Sequence, residues 1–148
     1  MLRGQLAADA DRPEEALRWL RRAVEITPYE PEANAILGLA LRRANLSEEA
    51  QQYEEKSRQI LQGYKRMEQI TREISRNPSN VELRREAGAI LMRIGQDKQA
   101  LSWLISALSL EPRHQPTRQA LAECVARLGD PRLVDYGHRL VSEDNKGD

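Results

Sequence analysis

Few residues in this sequence could serve as nucleophile, base or metal ligand, and their spacing limits them. The two histidines, His114 and His138, lie far apart. Neither has a cysteine or a second histidine at metal-ligand spacing. Cys124 is the single cysteine, so an intramolecular disulfide framework is excluded. No base stands beside it in sequence, and an inert packed thiol is expected. The glycines are solitary, and no phosphate-cradling loop is present. Glu48-Glu49 and Glu54-Glu55 fit a solvated helix face, with pairing to Arg58 at i+4. The chain is therefore expected to be no enzyme and to carry no cofactor and no metal.

Arginine is the one chemistry-bearing residue in excess. It greatly outnumbers lysine. A guanidinium fork grips a carboxylate or phosphate through two parallel bonds, which an ammonium cannot do. A GC-rich genome would give the same bias, and both origins stay open. The 23 basic residues balance 23 acidic ones, which argues against a dedicated nucleic-acid binder. No apolar run is long enough to span a bilayer. The opening MLRGQLAADADRPEE lacks the apolar core of a secretory signal. With 40% hydrophobic and 31% charged residues and no Phe, long solvated helical faces are expected.

The elements that must position these arginines are clearest from Val81 to His114. Ala87, Ile90, Leu91 and Ile94 recur at helical spacing, and Gly95 ends that helix. Asp97 is expected to cap the next helix. Its apolar stripe is Ala100, Leu101, Leu104, Ala107 and Leu108, and Pro112 stops it. Gly88, Ala100 and Ala107 are small where the two helices should touch. Counting Val81 as position 1, Gly88, Gly95, Ala100, Ala107 and Pro112 fall at 8, 15, 20, 27 and 32. The unit resembles a tetratricopeptide repeat, whose signature places these are. It departs at position 4, usually Trp and here Arg84, at position 7 with Ala87, and at position 11 with Leu91.

The pattern returns elsewhere. Ala16, Leu17, Trp19, Leu20, Ala23 and Pro28 match Ala100, Leu101, Trp103, Leu104, Ala107 and Pro112 at a constant offset of 84, which Gly4 and Gly88 also obey. A Trp here more often covers a seam between repeats than offers a ligand platform. Ile26 completes the expected buried side of residues 13–27. Leu37, Gly38 and Leu41 mark another first helix, with Asn45 in its left-handed turn and Ser47 capping the next helix. Residues 115–128 form a fourth, ending at Gly129, after which Asp130-Pro131 starts a more polar closing helix. The repeat frame leads to the expectation that the chain starts inside a first helix, as a fragment or truncated repeat would. The offset exceeds two 34-residue repeats by sixteen. The excess falls between Ser47 and Asn77, where no Pro intervenes and Gly63 is the weak point. One helix of about 28–30 residues, roughly 45 Å long, is expected. Its heptad-like stripe is Ala50, Tyr53, Ser57, Ile60, Tyr64, Met67, Thr71 and Ile74, widened by Leu61 and Ile70. That stripe either packs on the flanking repeats or forms a self-association seam.

The expected fold is thus an all-α, tetratricopeptide-type helix-turn-helix solenoid of about eight helices in a single domain, 1–148. Repeats span about 1–30 (truncated), 31–64, 81–114 and 115–142, with a helical insertion at about 65–80 and a polar tail at 143–148. The resemblance implies a groove lined by the first helix of each repeat. It places there Leu39, Arg42, Arg43, Arg85, Ala89, Met92, Arg93 and Arg127. The arginines would be polar anchors; Leu39, Ala89 and Met92 would form an apolar floor. The carboxylate clamp of chaperone-binding relatives is missing: Ala35, Leu39, Glu86, Pro116 and Ala120 occupy its places. The implied function is a non-catalytic interaction module or scaffold that holds a partner protein or peptide carrying acidic groups. The alternative is an assembly element that self-associates through the long helix or the N-terminal edge. No nucleic acid and no membrane span is implied.

Overall fold

The computed structural model describes residues 13–133. Six helices occupy them: α1 (Pro13–Ile26), α2 (Pro31–Arg43), α3 (Ser47–Arg76), α4 (Val81–Arg93), α5 (Asp97–Leu110) and α6 (Gln115–Leu128). Asp130 then opens a further helix: its Oδ1 accepts the Arg132 N–H at 3.0 Å. Helices joined by tight turns make an all-α, tetratricopeptide-type solenoid, the expected fold class. Gly4, Val134, His138, most of the closing helix and the tail 143–148 lie outside the described residues.

Two turns share one hydrogen-bond pattern. After α2, Asn45 takes φ 61, and after α4, Gly95 takes φ 73. Leu46 N–H then reaches the Leu41 carbonyl at 2.9 Å, and Gln96 N–H the Leu91 carbonyl at 2.8 Å. Asn45 and Gly95 donate in turn to Arg42 and Met92. Both are Schellman closures, and Asn serves as well as Gly because its short side chain tolerates the left-handed region. The expected caps differ. Gln96, without a side-chain capping bond, stands in the cap position of α5. Asp97 is inside the helix, where Arg127 holds its carboxylate at 3.1 Å. Ser47 is likewise the first residue of α3. Asn80 caps α4, its Oδ1 accepting from Leu83 N–H at 2.9 Å.

The chain packs as two compact units, Met1–Gln62 and Gly63–Asp148. In the first, Leu17, Leu20 and Val24 of α1 meet Ala33, Leu37 and Leu41 of α2 and Ala50 of α3. Ile26 is 68% exposed, against expectation. It follows Val24 by two residues, about 200° round the helix, so only one of them can face the core. In the second unit Ile70 of α3 packs with Ala87 and Ile90 of α4, and Trp103 covers that cluster. A Cβ on Gly88 would lie 2.6 Å from Leu104 Cγ, so the α4–α5 approach requires glycine there.

Position 4 of the repeat, where the family has Trp, holds Asn34 and Arg84. Each bonds the carbonyl of the proline six residues earlier: Asn34 Nδ2 to Pro28 at 3.1 Å, Arg84 Nη2 to Pro78 at 2.6 Å. Arg84 also donates to Ser106 Oγ at 2.8 Å, tying α4 to α5. A polar side chain that satisfies an inter-repeat carbonyl has replaced an apolar one that fills space.

The long helix α3 has 30 residues, as expected. Its buried line departs from the heptad. Ala50, Ser57 and Ile60 are buried, but Tyr64 and Thr71 are exposed; of the two residues that widen the stripe, Ile70 is fully buried and Leu61 is exposed. Gly63, Met67, Ile70 and Ile74 face α4: the Ile94 and Ile90 methyls would sit 3.0 and 3.3 Å from a Cβ on Gly63. A straight helix drifts about 20° per heptad, which moves the buried line off Thr71 and onto Ile70.

Candidate partner-binding faces

In the second unit, α4 carries Arg85, Ala89 and Arg93 four residues apart, so they share one face. Ala89 is half-buried and small, leaving the two guanidiniums clear of each other. Arg85 Nε donates to Glu82 at 2.8 Å. Arg93 is exposed and has no hydrogen-bond or ion-pair partner among the described residues. Beside them Arg66 of α3 grips Glu86 with two bonds, Nε at 2.7 Å and Nη2 at 2.8 Å, and holds Glu73 at 2.9 Å. The Arg66 bonds keep the Glu86 carboxyl below the usual range, against the opposing effect of burial, and the nearby Arg85 and Arg93 charges add to this.

Two of the expected groove residues are committed within the unit. Met92 is only 5% exposed, because α4 packs against both α5 and α6; it offers no exposed apolar floor. Arg127 of α6 donates to the Met92 carbonyl at 2.7 Å and pairs with Asp97 at 3.1 Å. Its guanidinium ties three helices together.

In the first unit, Arg42 donates Nε to Glu54 at 2.9 Å, a partner twelve residues away. The expected Glu54–Arg58 pairing is not formed; Arg58 instead holds Glu55. The Arg42 bond lowers the Glu54 carboxyl below its usual range. Arg43 is exposed and unpartnered among the described residues, and Leu39, one turn before it on α2, is 49% exposed. The expected groove set thus separates into committed residues (Arg42, Met92, Arg127), one with an internal partner (Arg85), the half-buried Ala89, and free ones (Leu39, Arg43, Arg93).

Other groups with chemical potential are held by packing. His114 caps α6 in position, with Nδ1 2.7 Å from Thr117 Oγ1 and Nε2 2.8 Å from Glu82 Oε1. Cys124 is fully buried and its thiol donates to the Asp97 carbonyl at 3.3 Å. Burial, and then the Asp97 charge, push the thiol up to about 11. Only about one thiol in a thousand is then thiolate at pH 8, against roughly one in four for a free cysteine. A disulfide reagent at pH 8 is expected to react about 100-fold more slowly with the folded chain than with the urea-unfolded chain. Comparable rates would mean that the thiol is open. Among the described residues no group of three His, Cys, Asp or Glu side chains could hold a metal ion, and no helix is long and apolar enough to cross a membrane.

The fold has solved counterparts. MamA of AMB-1 is 18% identical over 98% of this chain and 89% of its own, with a TM-score of 0.50. MamA of Desulfovibrio magneticus RS-1 is 16% identical over 98% and 93%, at 0.47. TTC0263, a thermophilic TPR protein of Thermus thermophilus, is 20% identical over 97% and 89%, at 0.49. At these identities the likeness extends to the fold alone. No protein-family model and no curated protein matches the chain.

Proposed function

We propose that this tetratricopeptide-type chain is a non-catalytic interaction module that holds partner protein on exposed helix faces, that of α2 in the first unit and, as a separate face, that of α4 in the second. The observation that carries the reading is that each unit leaves one guanidinium, Arg43 in the first and Arg93 in the second, without a partner among the described residues, while Arg42, Arg66 and Arg127 are all engaged. An exposed arginine with no carboxylate of its own retains its full hydrogen-bonding capacity for one supplied by a partner. Leu39 beside Arg43 adds apolar contact, and Arg85 adds a second cation one turn pair from Arg93.

The test is capture from native lysate by the wild type and by an Arg43→Glu/Arg93→Glu variant in parallel. A protein retained by the wild type and lost from the variant, with unchanged helical circular dichroism, is the expected result. Charge reversal at a contacting arginine is worth about 2–5 kcal/mol, enough to empty a micromolar site. Identical capture by both would place the binding elsewhere on the chain.

A further inference from the structure

Glu82 has two carboxylate oxygens and both are taken. Oε2 accepts from Arg85 Nε at 2.8 Å, and Oε1 lies 2.8 Å from His114 Nε2. These two partners come from different elements: Arg85 from α4 itself, His114 from the start of α6. The imidazole is the fixed member, with its side chain 15% exposed and its other nitrogen against the fully buried Thr117 hydroxyl. Glu82 is the open member, its side chain 58% exposed. Arg85 is therefore not tied into the core, as Arg127 is. It is held by a surface carboxylate that has a second cation-capable group within reach.

We propose that Glu82 is a built-in competitor for an acidic partner at Arg85, and that protonated His114 releases the arginine by taking that competitor over. This rests on the reading of the α4 face as partner-binding. While the imidazole is neutral, Arg85 alone compensates the Glu82 charge, and a partner's carboxylate must break that pair. Once His114 carries a proton, Glu82 keeps a full ion pair without Arg85. The freed guanidinium then joins Arg93 on one face, eight residues and about 12 Å along the helix. Glu86, the next carboxylate of α4, does not replace Glu82, because Arg66 already occupies it with two bonds. The two imidazole nitrogens of His114 meet Glu82 from α4 and, on α6, the uncharged Thr117 hydroxyl; Arg85 shares Glu82 with them, and the buried Arg118 lies one turn further along α6.

The ligand class follows from the spacing. Two carboxylates about 13 Å apart, four residues along an extended segment, match the two guanidiniums. Binding moves Arg85 off Glu82 and leaves that carboxylate to the imidazole. By linkage, a segment that displaces Arg85 is held more tightly when His114 carries a proton, so its affinity rises as pH falls.

The experiment measures fluorescence anisotropy of a labelled glycine-rich peptide with glutamates at i and i+4. It is titrated with the wild type, Glu82→Gln and His114→Gln at low salt, near pH 8 and near pH 5.5. The peptide carboxylates stay mostly ionised at both. The wild type is expected to bind about two- to fivefold tighter at the lower pH. Glu82→Gln should bind that tightly at both, and His114→Gln should lose the pH response. Wild-type binding left unchanged by Glu82→Gln, or a full pH response in His114→Gln, would overturn the switch alone. No binding by any of the three, each folded by circular dichroism, would overturn the α4 face together with the switch.

Discussion

Gly88→Ala is expected to destabilise the second unit by about 1–3 kcal/mol. The added methyl would lie 2.6 Å from Leu104 Cγ and 2.7 Å from Cδ2. Leu104 is fully buried and its Cγ is a branch point, so the crowding must be relieved by moving a packed side chain or the helix that carries it. Opposing this is the gain of about 1 kcal/mol when alanine replaces a helical glycine. Packing should win, because protein interiors leave no slack of this size. The measurement is a shift in the urea midpoint at constant slope. A second variant identifies the cause. Leu104→Ala alone should cost about 2–5 kcal/mol. On that background Gly88→Ala should cost nothing or stabilise, a coupling outside simple additivity. Strictly additive losses would show that the α4–α5 approach is not what demands glycine.

Gly63→Pro should cost about 3 kcal/mol or more. Gly63 lies inside α3, so the proline ring would remove one backbone hydrogen bond and strike the preceding turn. The same residue faces α4, with the Ile94 and Ile90 methyls where its side chain would be. Gly63→Ala is the comparison. Its helix gain of about 1 kcal/mol is offset by contacts at 3.0 and 3.3 Å to the Cγ2 methyls of the buried Ile94 and Ile90, which must give by a few tenths of an ångström, so the net change should be small. Thermal unfolding followed by circular dichroism separates the two. A proline variant melting like the wild type would mean that the rod is not continuous at residue 63.

Much of the fold was legible because it depends on local chemistry. Left-handed turns at Asn45 and Gly95, the close contact at Gly88 and the unbroken helix from Ser47 each follow from one residue type at one spacing. The charged faces were less legible. Glu54 chooses Arg42 over Arg58, Asp97 chooses Arg127, and Glu82 is shared between Arg85 and His114. Except for Arg85, those partners lie twelve to thirty-two residues away, on helices brought together by apolar packing. Spacing along one helix cannot rank them. Met92 illustrates the same gap: its repeat position suggested a groove, but the neighbouring α6 decides its exposure. One signal was overlooked. A polar residue where a repeat usually has Trp, followed back six places to a proline, marks the carbonyl that Asn34 and Arg84 bond.

The rod α3 ends one unit and begins the next. Its amides therefore sample two opening reactions along a single helix. In native-state hydrogen exchange, residues near Ala50 should report the breathing of the first unit and residues near Ile70 that of the second. The amides around Gln62 lose their neighbours when either unit opens, so they exchange with whichever opens more readily. A step in protection along α3 then measures the difference in stability between the two halves, without separating them.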